Sequence, residues 1–164
     1  MRQIPSRTAT GVDGAAAGAA ATVVMTAVLE AGRRMSLFDT PPPVRIVRRL
    51  LAGSSERPLA REMLLAGLAH LGYGGACGAL FALLARRRSA PGPGPGVGFG
   101  LLLWLAGYGV WVPAIGAVPP LHRDRPGRQL ALVAAHVVYG AVLAEGLRAL
   151  RSGRECGGAA ASRS

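Results

Sequence analysis

Four long apolar runs constrain this chain more than any other feature of its sequence. They lie at about residues 14–32, 63–85, 97–113 and 130–150, and most of the charged residues lie between them. A helix of about 20 apolar residues is long enough to cross the hydrocarbon core of a bilayer. Because only 16% of the 164 residues are charged, against about 25% in soluble domains, we predict an all-α integral membrane bundle of four transmembrane helices.

We expect a single membrane domain over residues 13–150, with a polar N-terminal tail at 1–12 and a flexible C-terminal tail at 151–164. The first run resembles a signal peptide, but Asp13 precedes it, Glu30 closes it and no A-x-A cleavage pattern follows. We therefore interpret it as an uncleaved first span. Four spans place both termini on the same side of the membrane. The arginines are nearly equally divided between the two sides and do not decide which side that is.

The first loop contains a short amphipathic segment. Its apolar residues, Val44, Ile46, Val47, Leu50 and Leu51, fall on one side of a helix, and its three arginines fall on the other. The prolines that precede it are tolerated in a first helical turn. This pattern predicts a short amphipathic helix that lies in the membrane interface, with a solvated surface turn as the alternative.

All 19 basic residues behind the net charge of +11 are arginines. Such a charge could indicate nucleic-acid binding, but the arginines are scattered between the spans and no recognition helix or zinc pattern gathers them. We expect the lipid bilayer, and no nucleic acid, as their partner. The high Arg, Ala, Gly and Pro content is typical of a GC-rich bacterial genome, so we expect a bacterial plasma or inner membrane.

Small residues indicate how the helices pack. Gly14 and Gly18 form a GxxxG pattern in the first run, which lets another helix approach closely. Gly-rich faces of this kind also suit contact with a second copy of the chain or with another membrane protein. Glu30 and Glu145 each lie one turn before arginines, which indicates ion pairs at the membrane interface. The PGPGPG segment at 91–96 predicts an irregular linker and lacks the pattern of a phosphate-binding loop.

A five-residue pattern, HxxYG, occurs twice, as HLGYG at 70–74 and HVVYG at 136–140. On an α-helix the i, i+3 spacing places the imidazole and the phenol on one face. Polar groups within a membrane avoid lipid by turning toward other helices. We therefore predict one polar site inside the bundle, formed by His70, Tyr73, His136 and Tyr139, with both imidazoles at a similar depth.

Three hypotheses about function follow from this site. In the first, which we favour, the role is structural or interactive: the His/Tyr pairs hydrogen-bond across the bundle and fix helix packing. In the second, the four side chains line a path for a proton or a small solute. In the third, His70 and His136 are the axial ligands of a b-type haem, and only this hypothesis requires a cofactor. No catalytic triad, metal-ligand motif or pair of catalytic carboxylates occurs, so we expect neither an enzyme nor a metal site.

Several segments together resemble small uncharacterised bacterial inner-membrane proteins of the YagU-like kind. They are GAAAGAAATVVMTAVLEAGRR, the proline-initiated basic segment, HLGYG, GFGLLLWLAGYGVWVPAIGAVPP and HVVYG. The resemblance covers residues 14–147 and is one of overall pattern. It implies a multi-pass helical membrane protein without an established reaction, and it supplies no functional residues.

Overall fold

The computed structural model describes residues 6–50, 60–86 and 92–161, with side chains as far as residue 154. Within these ranges the chain is helical and contains no strand. The α-helices are α1 (Arg7–Arg34), α2 (Pro42–Leu50), α3 (Ala60–Leu84), α4 (Pro93–Ala106), α5 (Val112–Ala114) and α6 (Pro126–Ala161). A π-helical turn, Gly107–Trp111, joins α4 to α5, and a 3-10 turn, Leu121–Arg123, precedes α6.

Four of these helical segments are long and apolar enough to cross a membrane. They are Arg7–Arg34, Ala60–Leu84, Pro93–Ala114 and Pro126–Arg154, with 28, 25, 22 and 29 residues. Each is at least as long as the roughly 20 residues that a bilayer core requires. The predicted fold class, an all-α chain with four helices of membrane-spanning length, is confirmed.

The Ala- and Gly-rich helix α1 packs against both α3 and α6, and α6 also packs against α4. The buried face of α1 carries Ala17 and Ala21 beside Met25. Small side chains let neighbouring helices come near the backbone and gain dispersion contacts along their length. Phe81 of α3 and Phe99 of α4, whose ring centroids are 5.1 Å apart, bring α3 and α4 into contact with each other.

The helices α1 and α3 cross with their backbones in contact, because glycines face each other there. Gly14 and Gly18 of α1 lie against Gly74 and Gly78 of α3. A Cβ atom on Gly14 would lie 2.5 Å from the Gly78 carbonyl oxygen, and one on Gly78 would lie 2.7 Å from Gly18 Cα. The close approach predicted at the GxxxG pattern of α1 is confirmed, and its partner is the HLGYG helix.

The helices α4 and α6 repeat this arrangement. Gly96 and Gly100 of α4 lie against α6 at Gly140, the last residue of HVVYG. A Cβ atom on Gly140 would lie 2.6 Å from the carbonyl carbon of Gly96. Each crossing joins a glycine-bearing helix to an HxxYG helix, and the connectivity makes α4 parallel to α1 and α6 parallel to α3. We call α1 with α3, and α4 with α6, the two halves of the bundle, because their glycine-lined crossings are alike, as in parallel internal repeats. The two halves are joined by the contact of α1 with α6.

Three helices extend into segments that we predicted to be tails or an irregular linker. The prediction of an irregular linker at 91–96 is wrong from Pro93 onward, because α4 begins there. Proline fits a first helical turn, whose N–H groups have no partner within the helix. α1 begins at Arg7, inside the segment predicted to be a polar tail. α6 continues to Ala161, across most of the predicted C-terminal tail, and its Arg154 pairs with the buried Asp13 of α1.

Two ion pairs predicted from the i, i+3 and i, i+4 spacing of the sequence are present. Glu30 pairs with Arg33 and Arg34 one turn later in α1. Glu145 pairs with Arg148 in α6 at 2.8 Å. Both carboxylates are partly exposed, so these pairs contribute little to stability.

The helix predicted in the first loop is present as α2, and the structure adds protein partners for its arginines. α2 packs against α3, and Arg48 lies 3.9 Å from the buried carboxylate of Glu62. Arg45 is partly buried, whereas Leu50, on the apolar side, is 67% exposed. Leu51 lies outside the described residues. Val44, on the apolar side, is also buried, so both sides of α2 contribute residues to the contact with protein.

Candidate functional site

The two HxxYG helices line the same cavity. It measures about 340 Å³ and lies between the four spans and α2. His70 and Tyr73 line it from α3, and His136 and Tyr139 line it from α6. The structure thus places all four residues of the predicted polar site around one space, and the role of that site stays a prediction.

The wall of the cavity is mainly apolar. Its larger apolar residues include Met25 and Leu29 of α1, Ile46 of α2, Leu103 of α4 and Leu132 of α6. No Asp, Glu or Arg side chain lines it among the described residues, and no group of three metal-ligating side chains occurs in the same ranges. A cavity of this size with an apolar wall and a few polar groups is typical of small-molecule sites.

The His136 ring is fixed by a bond within its own helix. Its Nδ1 lies 2.8 Å from the carbonyl oxygen of Leu132. Because a carbonyl oxygen only accepts, Nδ1 carries the proton, and Nε2 of the neutral ring is left as an acceptor. No hydrogen bond to Nε2 is found among the described residues. The structural hypothesis expects His136 to hydrogen-bond to another helix. Among the described residues, His136 instead hydrogen-bonds only within its own helix.

The His70 ring is held more loosely. Its Nδ1 lies 3.5 Å from the Thr26 hydroxyl oxygen of α1, which is at the outer limit for a hydrogen bond. Thr26 also donates to the Thr22 carbonyl oxygen at 2.8 Å, so its single proton is already engaged. The ring is partly buried and keeps hydrogen-bonding capacity for another partner.

The two tyrosines of the repeated pattern are used differently. Tyr139 is 2% exposed, and its hydroxyl donates to the carbonyl oxygen of Gly74 at 2.7 Å. This bond joins α6 to the glycine of the other HxxYG pattern, as a bond that fixes helix packing should. Tyr73 is 50% exposed and makes no hydrogen bond to another helix within the described residues.

The π-helical turn adds two aromatic residues to the cavity, Tyr108 and Trp111. Tyr108 is 4% exposed, and its hydroxyl is buried without a hydrogen-bond partner in the described part of the chain. A buried polar group without a partner is unfavourable by about 1–3 kcal/mol. Single π turns within α-helices occur frequently at functional sites. Tyr108 is therefore a donor that a bound molecule could satisfy.

Sequence reasoning did not include Tyr108 and Trp111 in the site, although a signal exists. All three tyrosines of the chain, at 73, 108 and 139, are followed directly by glycine, and all three line the cavity. The shared Tyr-Gly pair was a better guide to the cavity than the complete HxxYG pattern.

A comparison with protein-family models places this arrangement in a known group of sequences. A model described as a family of unknown function, DUF6789, matches residues 8–156. The chain belongs to this family. The part that matches DUF6789 contains α1 through most of α6, and thus both HxxYG patterns and the whole cavity wall.

The DUF6789 description assigns no activity, so it leaves the three functional hypotheses open. No curated protein and no solved structure matches the chain. The resemblance to YagU-like proteins stays a prediction, because the family match does not connect the two groups.

Proposed function

We propose that this DUF6789 protein is a multi-pass protein of a bacterial plasma membrane that binds a small lipid-soluble molecule between its two halves. The observation that carries the proposal is that one imidazole from each half lines a single cavity. In membrane proteins built from repeats, binding sites commonly lie at the interface between the repeats.

The cavity wall indicates the chemistry of the ligand. Met25, Leu29 and Leu103 favour an apolar body. The hydroxyl of Tyr108 requires an acceptor, because it has no partner in the described part of the protein. Because no charged side chain lines the wall among the described residues, an uncharged molecule is favoured over an ion. An apolar molecule that carries a carbonyl oxygen meets these conditions.

The structural hypothesis accounts for one side chain of the four. Tyr139 joins α6 to α3 through the Gly74 carbonyl oxygen, and this role is compatible with a binding cavity. Among the described residues, the imidazoles of His70 and His136 make no comparable bond between helices, which leaves them available for a ligand. Passage of a proton or solute along the same residues stays an alternative.

The test uses a short-chain alkyl benzoquinone as the probe, with the full chain purified in detergent. Its carbonyl oxygens accept hydrogen bonds, and quinones quench indole fluorescence. Trp111 lines the cavity, so binding there should give saturable quenching. A Tyr108→Phe variant, which removes one donor, should bind the probe about tenfold more weakly, the equivalent of about 1.4 kcal/mol.

A pair of alanines on α3 supplies the matched control. Ala69 lines the cavity and Ala76 does not, and both are exposed positions of the same helix. Ala69→Phe should fill part of the space and abolish saturable quenching, whereas Ala76→Phe should leave it unchanged. Quenching that does not saturate, or that is equal in all variants, would contradict the proposal.

A b-type haem is the second candidate, and one contact favours it. Histidines that ligate a metal usually donate their other ring N–H to a carbonyl or carboxylate, as His136 does to Leu132. The absorption spectrum of the purified protein decides this candidate. A Soret band that is lost in both His70→Ala and His136→Ala would support haem, and a spectrum without that band would remove it.

A further inference from the structure

A second group of buried polar side chains lies outside the cavity, where α2 meets the segment before α6. Asp124, in that segment, is 9% exposed, and Arg128, in the first turn of α6, is 5% exposed. Their side chains form an ion pair, with Arg128 Nη1 3.0 Å from Asp124 Oδ1. Asp124 Oδ1 also accepts the backbone N–H of Arg125 at 2.8 Å. The buried carboxylate of Asp124 therefore neutralises one buried guanidinium, that of Arg128.

Arg45 of α2 brings a second guanidinium near this pair, because the chain just before α2 lies against the start of α6, where Asp39 Oδ2 is 3.9 Å from Arg125 Nη1. Its electrostatic neighbours are Arg128 and Asp124, with Asp39 and Arg125 as weaker ones. Burial lowers the pKa of Arg45, and the positive charge of Arg128 lowers it further. Arg45 is thus a partly buried cation beside a carboxylate that already pairs with Arg128.

The charges of this group do not cancel. Arg45, Arg128 and Asp124 together carry one excess positive charge, since Asp39 and Arg125 have largely exposed side chains and pair with each other at 3.9 Å. A buried charge without a counter-ion is strongly unfavourable. Water could satisfy hydrogen-bond donors here, but it would not neutralise the charge.

Unpartnered atoms show where a counter-ion would bind. The Nε atoms of Arg45 and Arg128 are buried and have no hydrogen-bond partner among the described residues. Guanidinium groups recognise phosphate oxygens through such N–H donors. Asp124 Oδ2 is likewise buried without a partner, and because it only accepts, a hydroxyl group on the ligand would satisfy it.

We propose that Arg45 and Arg128 hold a singly charged phosphate group, with Asp124 accepting a hydrogen bond from a hydroxyl of the same molecule. A phosphodiester carries the one negative charge that this group lacks. The position suits a phospholipid, because α2 lies between two spans and basic pockets near the ends of membrane helices bind lipid head groups. Free dihydrogen phosphate presents the same chemistry. The site is separate from the cavity and does not depend on the function proposed for it.

The test measures phosphate binding by the full-length protein in a neutral detergent. Phosphatidylglycerol, which has one phosphodiester charge and two hydroxyls, is compared with phosphatidylcholine by native mass spectrometry. Inorganic phosphate is compared with chloride at equal ionic strength by the shift of the unfolding temperature. Retention of one phosphatidylglycerol per chain indicates a lipid ligand, whereas a shift with inorganic phosphate alone indicates free phosphate.

Arg45→Gln is the decisive variant, because it leaves Arg128 and Asp124 as a neutral pair. Its affinity for the phosphate ligand should fall at least about tenfold. Its unfolding temperature without phosphate should be equal to or higher than that of the wild type, since the uncompensated charge is gone. If Arg45 had only a structural role, the Arg45→Gln variant would instead unfold at a lower temperature than the wild type.

Arg123→Gln is the matched control, since Arg123 lies in the same segment, is exposed and has no ion pair among the described residues. It should bind phosphate as the wild type does. Equal binding by the wild type and Arg45→Gln in both arms, or no preference for phosphatidylglycerol or phosphate over their comparison compounds, would overturn the proposal.

Discussion

Side chains with the same spacing in sequence have different roles within the two HxxYG helices. Tyr139 is buried and bonded to the Gly74 carbonyl oxygen, whereas Tyr73 is half exposed. His136 is fixed through Leu132 of its own helix, whereas His70 has one long contact to Thr26. The difference arises because α6 packs against two long helices, α1 and α4, whereas α3 packs against one long helix, α1, and against the nine-residue α2.

Removal of the Tyr139 hydroxyl should destabilise the bundle modestly. Tyr139→Phe loses one bond between α6 and α3, and such bonds in membrane proteins contribute about 0.6 kcal/mol on average and up to about 1.7 kcal/mol. Tyr73→Phe is the control and should leave stability nearly unchanged, because Tyr73 makes no bond to another helix in the described structure. Equilibrium unfolding in mixed micelles measures both variants. Equal losses in the two would show that the Gly74 contact is not stabilising.

From sequence, only the site residues that follow regular helical spacing could be predicted. The i, i+3 spacing of His70 and Tyr73, repeated at His136 and Tyr139, predicted one shared space, and all four residues line the cavity. Tyr108 could not be found in this way, because the π turn at Gly107–Trp111 changes the number of residues per turn and shifts the face that follows it. The ion pair between Asp124 and Arg128 could not be predicted either, because it depends on the shape of the turn before α6, and periodicity does not describe turns.

At the scale of the helices, two glycine-lined crossings organise the packing. They join α1 to α3 and α4 to α6, and in both the last glycine of HxxYG lies at the contact. The spans themselves could be predicted because length and hydropathy are sufficient to recognise them. The helical start of α4 could not, since proline and glycine usually mark irregular structure and only the contact of Gly96 with α6 shows why they fit here.

A single methyl group at a crossing should be strongly unfavourable. In Gly78→Ala the new Cβ would lie 2.7 Å from Gly18 Cα, so α1 and α3 must separate, with a loss of about 1–3 kcal/mol. Gly72→Ala, on the same helix, meets nothing within 4 Å and should not reduce stability. Thermal unfolding in detergent compares the two. If Gly78→Ala were stable and Gly72→Ala unstable, the face of α3 that contacts α1 would be the one that carries Gly72.

At the scale of the whole molecule, the contact between Asp13 and Arg154 brings the start of α1 and the end of α6 together. We therefore predict that both termini lie on the same side of the membrane. Thr8→Cys and Ser152→Cys, each placed in a variant with Cys77 and Cys156 replaced by serine, should react with a membrane-impermeant maleimide from the same side. Reaction from opposite sides would mean that one of the four helices does not cross the membrane.

His70 and His136 share one cavity between the two halves of the bundle. The chain contains only three histidines, and His122, exposed in the turn before α6, is an internal control for ring ¹H–¹³C NMR of the detergent-solubilised protein. Leu103 lines the cavity from a third helix, and its neighbour Leu102 is 59% exposed and does not.

Leu103→Trp places an aromatic ring in the cavity wall and should shift the ring signals of both His70 and His136, but not that of His122. Leu102→Trp should shift none of the three. A Leu103→Trp spectrum in which only one of the two cavity histidines moves, or neither, would contradict the shared cavity.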